Sequence, residues 1–504
     1  MKQEQTIAAI ATPPGHGAIA IIRLSGADAF SVCAPLFRPA RRGLELSSQP
    51  AGTIHYGKIH DKGEVIDEVM VSIFRGPRSY TGEDLIEISC HGSAYIQQRI
   101  LQLLLDKGAR PAKPGEFTRR AFLNGKMDLS QAEAVADLIA SESAAFHRVA
   151  MQQMRGGFSS EIRELRQRLL EFISLVELEL DFSEEDVRFA DRNELQSLLG
   201  EIEAMLGRLL SSFSLGNALK NGIPVVIAGK PNTGKSTLLN LLLREEKALV
   251  SEIPGTTRDS IEDVIHLDGI SFRFIDTAGI RETTDRVEIM GIERTMEKIG
   301  QAEIILFMAE ATDTGEHINF LLDKLRRRSE FKNKRVILIL NKCDLLPSRG
   351  GGGGAGSARA GEGATAGRTD KRGSSARAGE GATNGRTDLP GGEFPSLGEE
   401  DRVILISAKT GQGVEELKSL LVGIIQESKP AGDGVIVTNA RHYHALKQAR
   451  EALLRASGGL DNHLPGDLLA MDIRDVLHYL GEITGEITTD EILGNIFKNF
   501  CIGK

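Results

Sequence analysis

Apolar residues recur with two different periods along the chain, and the change from one to the other marks its segments. Residues 6–24 read as two β-like runs on either side of a Pro13-Pro14-Gly15 turn, and 53–90 continues as short alternating strands such as 69–74 and 84–92. That pattern predicts a small α/β unit. Between about Leu129 and Leu210 the spacing turns helical, with Leu165, Leu169, Phe172, Ile173, Val176 and Leu180 three or four apart in a Glu/Arg/Gln-rich, proline-free background. Long packed helices are expected there. Residues 223–425 return to alternation, with apolar runs at 225–229, 272–276, 304–309, 336–341 and 403–407 separated by helical stretches, the pattern of a mostly parallel α/β sheet. After Lys429 the chain reads as helical to its last residue.

Residues 349–398 fit none of these periods. Five glycines (350–354) precede the segment 357–370 and its near copy 375–388, which share an 18-residue repeat and have nothing apolar to bury. A disordered surface insertion is expected, tolerable because loop-closure entropy grows only logarithmically with length. Two polar copies are too few for a solenoid.

A chain of 504 residues exceeds one ordinary domain several-fold, so several domains are expected. The hydrophobic fraction of 41% and charged fraction of 26% are ordinary for a globular protein. No apolar run is long enough to span a bilayer, and the polar start at Met1 to Gln5 lacks the build of a secretory signal, so a cytoplasmic protein without membrane contact is expected. Cys33, Cys90, Cys343 and Cys501 form no metal-ligand or disulfide pattern, in keeping with a reducing compartment. The net charge of -9 gives no global attraction to DNA or RNA, so RNA contact must come from local basic patches or through a partner.

The chemistry concentrates in four motifs. Gly229-Lys-Pro-Asn-Thr-Gly-Lys-Ser236 follows an apolar strand and precedes a helix-like run, the context of a phosphate-binding loop. Its phosphate-side set is Asn232, Thr233, Gly234, Lys235, Ser236 and Thr237. Main-chain amides and the helix N-terminus face the phosphates, Lys235 reaches the β/γ oxygens, and the Ser236 hydroxyl ligates Mg²⁺. Asp276, Thr277, Ala278 and Gly279 end a second strand, with Asp276 holding Mg²⁺ through water and the Gly279 amide sensing the γ-phosphate. Asn341, Lys342 and Asp344 end a third, where the Asp344 carboxylate can accept guanine N1–H and N2–H₂. Ser407, Ala408 and Lys409 complete the base pocket. Four motifs in this order specify guanine over adenine. In the intervening loop Ser251, Glu252, Ile253, Pro254, Gly255, Thr256 and Thr257, the last is the expected switch threonine closing over Mg²⁺ and the γ-phosphate. Ile280 follows Gly279 where Ras-like proteins carry a water-orienting glutamine, so hydrolysis needs other assistance.

Gly-Lys-Pro-Asn-x-Gly-Lys-Ser, Pro-Gly-Thr-Thr-Arg-Asp and Asp-Thr-Ala-Gly-Ile-Arg resemble the TrmE/Era branch of GTPases. The segments 11–17, 79–84, 91–92, 114–126 and 128–133 and the terminal Cys501-Ile-Gly-Lys504 extend that resemblance, over all but 349–398, to the MnmE (TrmE) family of tRNA-modification GTPases. The resemblance implies a multidomain α/β and all-α chain. Its parts would be an α/β domain (1–120) that binds a tetrahydrofolate derivative, of 5-formyl or methylene type, and dimerises; a discontinuous helical domain (121–218 and 427–504); and an inserted Ras-like P-loop GTPase domain (219–426) with a mostly parallel sheet. It also implies a homodimer that joins an FAD-containing MnmG-type partner in a heterotetramer and adds aminomethyl or carboxymethylaminomethyl groups to carbon 5 of the wobble uridine of certain tRNAs.

By the same resemblance K⁺ takes the place of an arginine finger, bound by Asn232 with Ser251, Ile253 and Thr256, and Glu288 orients the attacking water through a second water. Arg23, Glu87, Lys126 and Lys504 match folate-side positions, and Cys501 is implicated in the modification chemistry together with the catalytic set Glu288, Lys235 and Thr257. By residue type alone these assignments have plain alternatives: Glu288 as a solvated helix start, Arg23, Glu87 and Lys126 as surface charges, and Cys501 as a half-buried structural thiol in a helical tail. The insertion between Asp344 and Ser407 would alter guanine binding if ordered against the base pocket. A ribosome-assembly GTPase shares the four motifs, but such a switch predicts an appended RNA-binding module, and no KH-type domain or basic tail follows residue 425.

Overall fold

The structure is a computed structural model describing residues 5–181, 192–247, 263–275, 300–327, 334–346, 401–427 and 434–503, save 463, 465 and 499. The expected insertion 349–398 lies outside the described residues. The chain forms two compact units, 1–220 with 429–504, and 221–428.

The first unit opens with β1 (Ile7–Ile10), β2 (Gly17–Ser25), α1 (Ala29–Cys33), β3 (Phe37–Pro39), β4 (Thr53–Asp61), β5 (Glu64–Phe74), β6 (Leu85–Gly92), α2 (Ala94–Asp106) and β7 (Arg110–Pro111). The strands form one sheet in the order β3-β4-β5-β6-β2-β1-β7, antiparallel except for β1 with β7. The strands across 53–92 are longer than expected: β5 has 11 residues, and Lys62 and Gly63, both at positive φ, make the tight turn that joins it to β4. One face of the sheet buries Ile22, Leu24, Ile59, Val71, Ile73, Ile86 and Ile88 against Ile100 and Leu104 of α2. Alternation turns Arg23 and Glu87 to the other face.

Helices α3 (Glu116–Leu123), α4 (Leu129–Ile139), α5 (Ala144–Met154), α6 (Gly157–Asp181) and α7 (Arg192–Asn221) follow. Asp128 starts α4 with a reciprocal cap, its side chain accepting from the Gln131 amide at 2.9 Å while the Gln131 side chain accepts from the Asp128 amide at 2.9 Å. Ser143 caps α5.

The second unit holds β8 (Ile223–Gly229), α8 (Lys235–Lys247), β9 (Asp263–Leu267), β10 (Ile270–Phe274), β11 (Ile304–Glu310), α9 (Gly315–Arg326), β12 (Arg335–Asn341), β13 (Arg402–Leu405) and α10 (Val414–Glu427). The sheet order is β13-β12-β11-β8-β10-β9, parallel but for the β9–β10 hairpin. The apolar runs of β11 and β12 are buried along nearly their whole length, as strands covered on both faces must be.

The chain then returns to the first unit with α11 (Ala440–Asp461), α12 (Gly466–Thr484) and α13 (Asp490–Phe497). Phe158, Ile162, Leu165 and Leu169 of α6 share a core with Leu446 and Leu453 of α11 and Ile473 and Leu480 of α12. The helical pattern does not reach the last residue: α13 stops at Phe497, whose ring packs on Phe500 at 5.1 Å, and the tail turns away. A buried polar cluster ties the two helical stretches together. Glu133, buried on α4, receives Arg441 Nε at 3.0 Å and Nη2 at 2.7 Å, and His442 Nε2 at 2.6 Å. Nearby, Lys220 pairs with Asp137 at 2.7 Å, and Gln153 donates to the Ile436 carbonyl at 2.8 Å.

Candidate functional site

The phosphate loop leaves β8, an interior strand of its sheet, at Gly229 (φ 149°), where a Cβ would lie 2.2 Å from the Met308 carbonyl oxygen of β11. Only glycine permits that approach. The loop turns through Asn232 (φ 64°) and Gly234 (φ 96°), whose Cβ would sit 2.3 Å from Asn341 Nδ2, and enters α8 at Lys235. The first-turn amides of α8, with Ser236 and exposed Thr237, therefore sit at the carboxyl end of the strand, where anions are favoured. Lys235 Nζ donates to the Gly229 and Lys230 carbonyls at 3.0 and 2.6 Å. Burial pushes its pKa down. Neutral carbonyls supply direction but no countercharge, so a partly desolvated ammonium here favours an anionic ligand.

Asn341, buried at the end of β12, joins three of the expected segments. Its Nδ2 donates to the Thr233 carbonyl at 2.7 Å, and its Oδ1 accepts the Ala408 amide at 2.9 Å. Asp344 follows in a single 3-10 turn and is exposed, as is Lys409, while Ser407 is buried and accepts the Thr410 amide at 3.3 Å. The structure thus gathers 229–237, 341–344 and 407–409 at one edge of the sheet. Residues Ser251 to Thr257, Asp276 to Gly279 and Glu288 lie outside the described residues. Sequence reasoning passed over Glu310, which ion-pairs with Lys342, and Lys230, which stands 3.7 Å from Asp313. An acid ending an otherwise apolar buried strand was the available signal for Glu310.

In the first unit Arg23 and Glu87 are direct cross-strand neighbours on β2 and β6. Arg23 donates to Glu87 Oε1 through Nε at 2.9 Å and Nη2 at 2.7 Å, and its Nη1 reaches the Gly503 carbonyl at 3.0 Å. The guanidinium carbon lies 5.5 Å from the Tyr80 ring centre and 5.6 Å from that of Phe117, two contacts that spacing alone did not suggest. The tail is pinned beside this pair: the Gly115 amide donates to the Cys501 carbonyl at 3.3 Å, and a Cβ on Gly503 would meet the Ile10 carbonyl oxygen at 2.5 Å. Cys501 itself is exposed and lies beyond the end of α13, which sets aside the alternative of a half-buried thiol and corrects the helical reading of the last residues. Lys126 follows α3 and donates to the Pro77 carbonyl at 2.9 Å, without a contact to Arg23 or Glu87. Lys504 lies outside the described residues. No group of three or more His, Cys, Asp or Glu side chains able to hold a metal occurs among the described residues.

Comparison with known proteins adds two family matches. A profile described as GTP-binding protein TrmE N-terminus matches residues 6–126, and one described as MnmE helical domain matches 129–501. The chain is 52% identical over 510 residues to the tRNA modification GTPase MnmE of Christiangramia forsetii, covering 100% of both chains. It is 51% identical over 501 residues to that of Bacteroides thetaiotaomicron, covering 99% of this chain and 100% of the relative.

Proposed function

The chain belongs to the MnmE family of tRNA modification GTPases, and from that premise we propose how its residues divide the work. It is a GTPase that takes part in tRNA modification. In our reading it forms a cytoplasmic homodimer. With an FAD-containing MnmG-type partner in a heterotetramer, it adds aminomethyl or carboxymethylaminomethyl groups to carbon 5 of wobble uridines. The observation that carries the nucleotide part is Asn341, whose two hydrogen bonds join the phosphate loop to the base-side segment at 408. GTP would lie along that seam, with Lys235 on the β/γ oxygens, Ser236 and Thr257 on Mg²⁺, and Asp276 holding the ion through water. Asp344 and Lys409, both exposed, would meet the guanine. K⁺ at Asn232, Ser251, Ile253 and Thr256 would offset the charge that develops between β- and γ-phosphates, with Glu288 orienting water in place of the glutamine that Ile280 replaces.

A folate derivative would be held by Arg23, Glu87, Lys126 and Lys504. The Arg23 guanidinium, paired with Glu87 and close to the Tyr80 and Phe117 rings, would present one polar wall of that site, and the exposed Cys501 thiol would act beside it. Strand register puts exposed Ile19, Ile54, Tyr56 and Met70 on the same face of the sheet as Arg23 and Glu87. Such a patch supports pairing of two copies there. No helix among the described residues is long and apolar enough to cross a membrane.

Nucleoside analysis of tRNA from cells lacking the protein tests the reading. The wobble-uridine side chain should disappear, and unchanged nucleosides would reject the proposed reaction. Exchanging Na⁺ for K⁺ at constant ionic strength should raise GTP turnover strongly. Equal rates in the two salts would remove K⁺ from the site and leave the GTPase assignment standing.

A further inference from the structure

We propose that the exposed face of α5 is a docking surface for the phosphate backbone of the tRNA substrate. The inference rests on the tRNA-acting reading and deepens it. A hollow of about 380 Å³ opens on this helix, lined by His147, Arg148, Met151, Gln152, Arg155 and Gly157. At 100° per residue the five side chains from 147 to 155 fan over about 140° of the helix, one continuous face. His147, Arg148, Gln152 and Arg155 are exposed. No carboxylate lines the hollow.

The charge of the chain as a whole gives those features their weight. Its net charge is -9, so a polyanion gains nothing from the molecule as a whole and needs a local cationic concavity. Three other arginines of the two helical stretches are committed: Arg163 faces Asp128 at 3.4 Å, Arg168 faces Glu201 at 2.7 Å, and Arg455 bonds both Asp472 and Asp475 at 2.9 Å. Arg148 and Arg155 have no ion pair among the described residues. They keep their charge for a ligand. Gln152 adds amide donors, and the Met151 side chain gives the hollow an apolar floor against which ribose or a splayed base can rest.

Position favours RNA over an acidic protein surface. Across the Met154–Gly157 turn lies a second hollow of about 370 Å³, lined by Lys126, Gln131 and Arg163 together with the carboxylates of Asp128 and Glu486, so that Lys126 is the cation there beyond the Arg163–Asp128 pair. The two are braced together, since Gln131 Nε2 donates to the Met154 carbonyl at 3.1 Å. Lys126 stands just past the end of α3, whose other end, Gly115, holds Cys501. Eight helical residues span roughly 12 Å, so a nucleic acid seated on α5 runs toward the tail carrying the exposed thiol.

The test compares Arg148→Ala/Arg155→Ala with the wild-type full chain, measuring binding of unmodified tRNA by fluorescence anisotropy across a salt series, with and without the FAD partner. Losing two phosphate contacts should weaken binding about tenfold and flatten the slope of log K against log[salt] by about 1.4 to 1.8. Arg148→Lys/Arg155→Lys should keep most of the slope, and GTP turnover without tRNA should match wild type in both variants. Unchanged affinity and slope in the alanine variant, with wild type binding tRNA, would overturn this inference alone. Weakened binding to the FAD partner with tRNA affinity intact would also overturn it, in favour of an acidic protein surface. A wild-type chain that binds no tRNA in either condition would bring down the tRNA-acting reading as well.

Discussion

The polar cluster around Glu133 and the polar edge around Asn341 are built from similar residues yet are opposite in kind. Glu133 accepts Arg441 on both oxygens and His442 on one, while Arg441 also donates to the Glu482 and Ile483 carbonyls at 2.5 and 3.1 Å. Burial alone would raise the Glu133 pKa, but His442 and Arg441 outweigh it and hold the carboxyl at about 2. An ionised carboxylate only accepts, so the 2.6 Å contact puts the proton on His442 Nε2. Around Asn341 the amide's own bonds and the Glu310–Lys342 pair are closed, but Lys235 rests on neutral carbonyls, and Asp344 and Lys409 face solvent. A polar centre with its charges matched internally is scaffold, whereas one with charge left over is shaped for a charged ligand.

The largest effect expected from that contrast is on stability, in the cluster that touches no ligand. Glu133→Ala leaves Arg441 and His442 without their carboxylate and should cost about 3 to 5 kcal/mol in denaturant unfolding of the full chain, with GTP affinity of the folded protein preserved. A loss below about 1 kcal/mol would mean that the cluster is not the clasp between the helical stretches. Because the folded pKa lies far below the ordinary value of 4.5, Glu133 contributes fully above about pH 4.5, and its contribution drains away as pH falls toward about 2. His442, pushed down by burial, adds a loss of the same sign as acidity rises. The alanine variant should therefore show a flatter fall in stability below pH 4.5 than wild type.

Next in size is Asn341→Ala, which sharpens the comparison from the other side. It strands the buried Ala408 amide and the Thr233 carbonyl, each worth about 1 to 2 kcal/mol, so GTP affinity by calorimetry should fall about 30- to 1,000-fold. The global unfolding midpoint should move less than for Glu133→Ala. Full GTP affinity in this variant would show that the loop and the base side are held together by something else.

Much of this was legible along the chain because its signals are local. The apolar runs of β11 and β12, the strand–loop–helix at 223–247 and the Asp128 cap each declare themselves within a few residues. The contacts that turn these elements into sites are not local. Asn341 reaches 108 residues back and 67 forward, Arg441 meets Glu133 across 308, and Arg23 meets Gly503 across 480. No spacing rule carries a register set by β2 against β6 or a tail folded onto the first strands. The same limit explains Cys501: apolar periodicity runs on past Phe497, but the Gly115 amide and the close fit of Gly503 beside Ile10 take the tail out of the helix.

The smallest effect expected is the most diagnostic of what the open polar edge receives. Asp344 stands exposed one turn past Asn341, where its carboxylate can accept two donors from one edge of a purine. Asp344→Asn keeps the shape but exchanges one acceptor for a donor, which then faces the guanine amino group. Losing a charged hydrogen bond of about 1.5 to 3 kcal/mol should weaken GTP binding about 10- to 150-fold. XTP has a carbonyl where guanine has the amino group, so it should gain, and the order of affinities should invert. If the variant kept wild-type preference for GTP over XTP, Asp344 would not be the residue that reads the base. The leftover charge at this edge would then need another use.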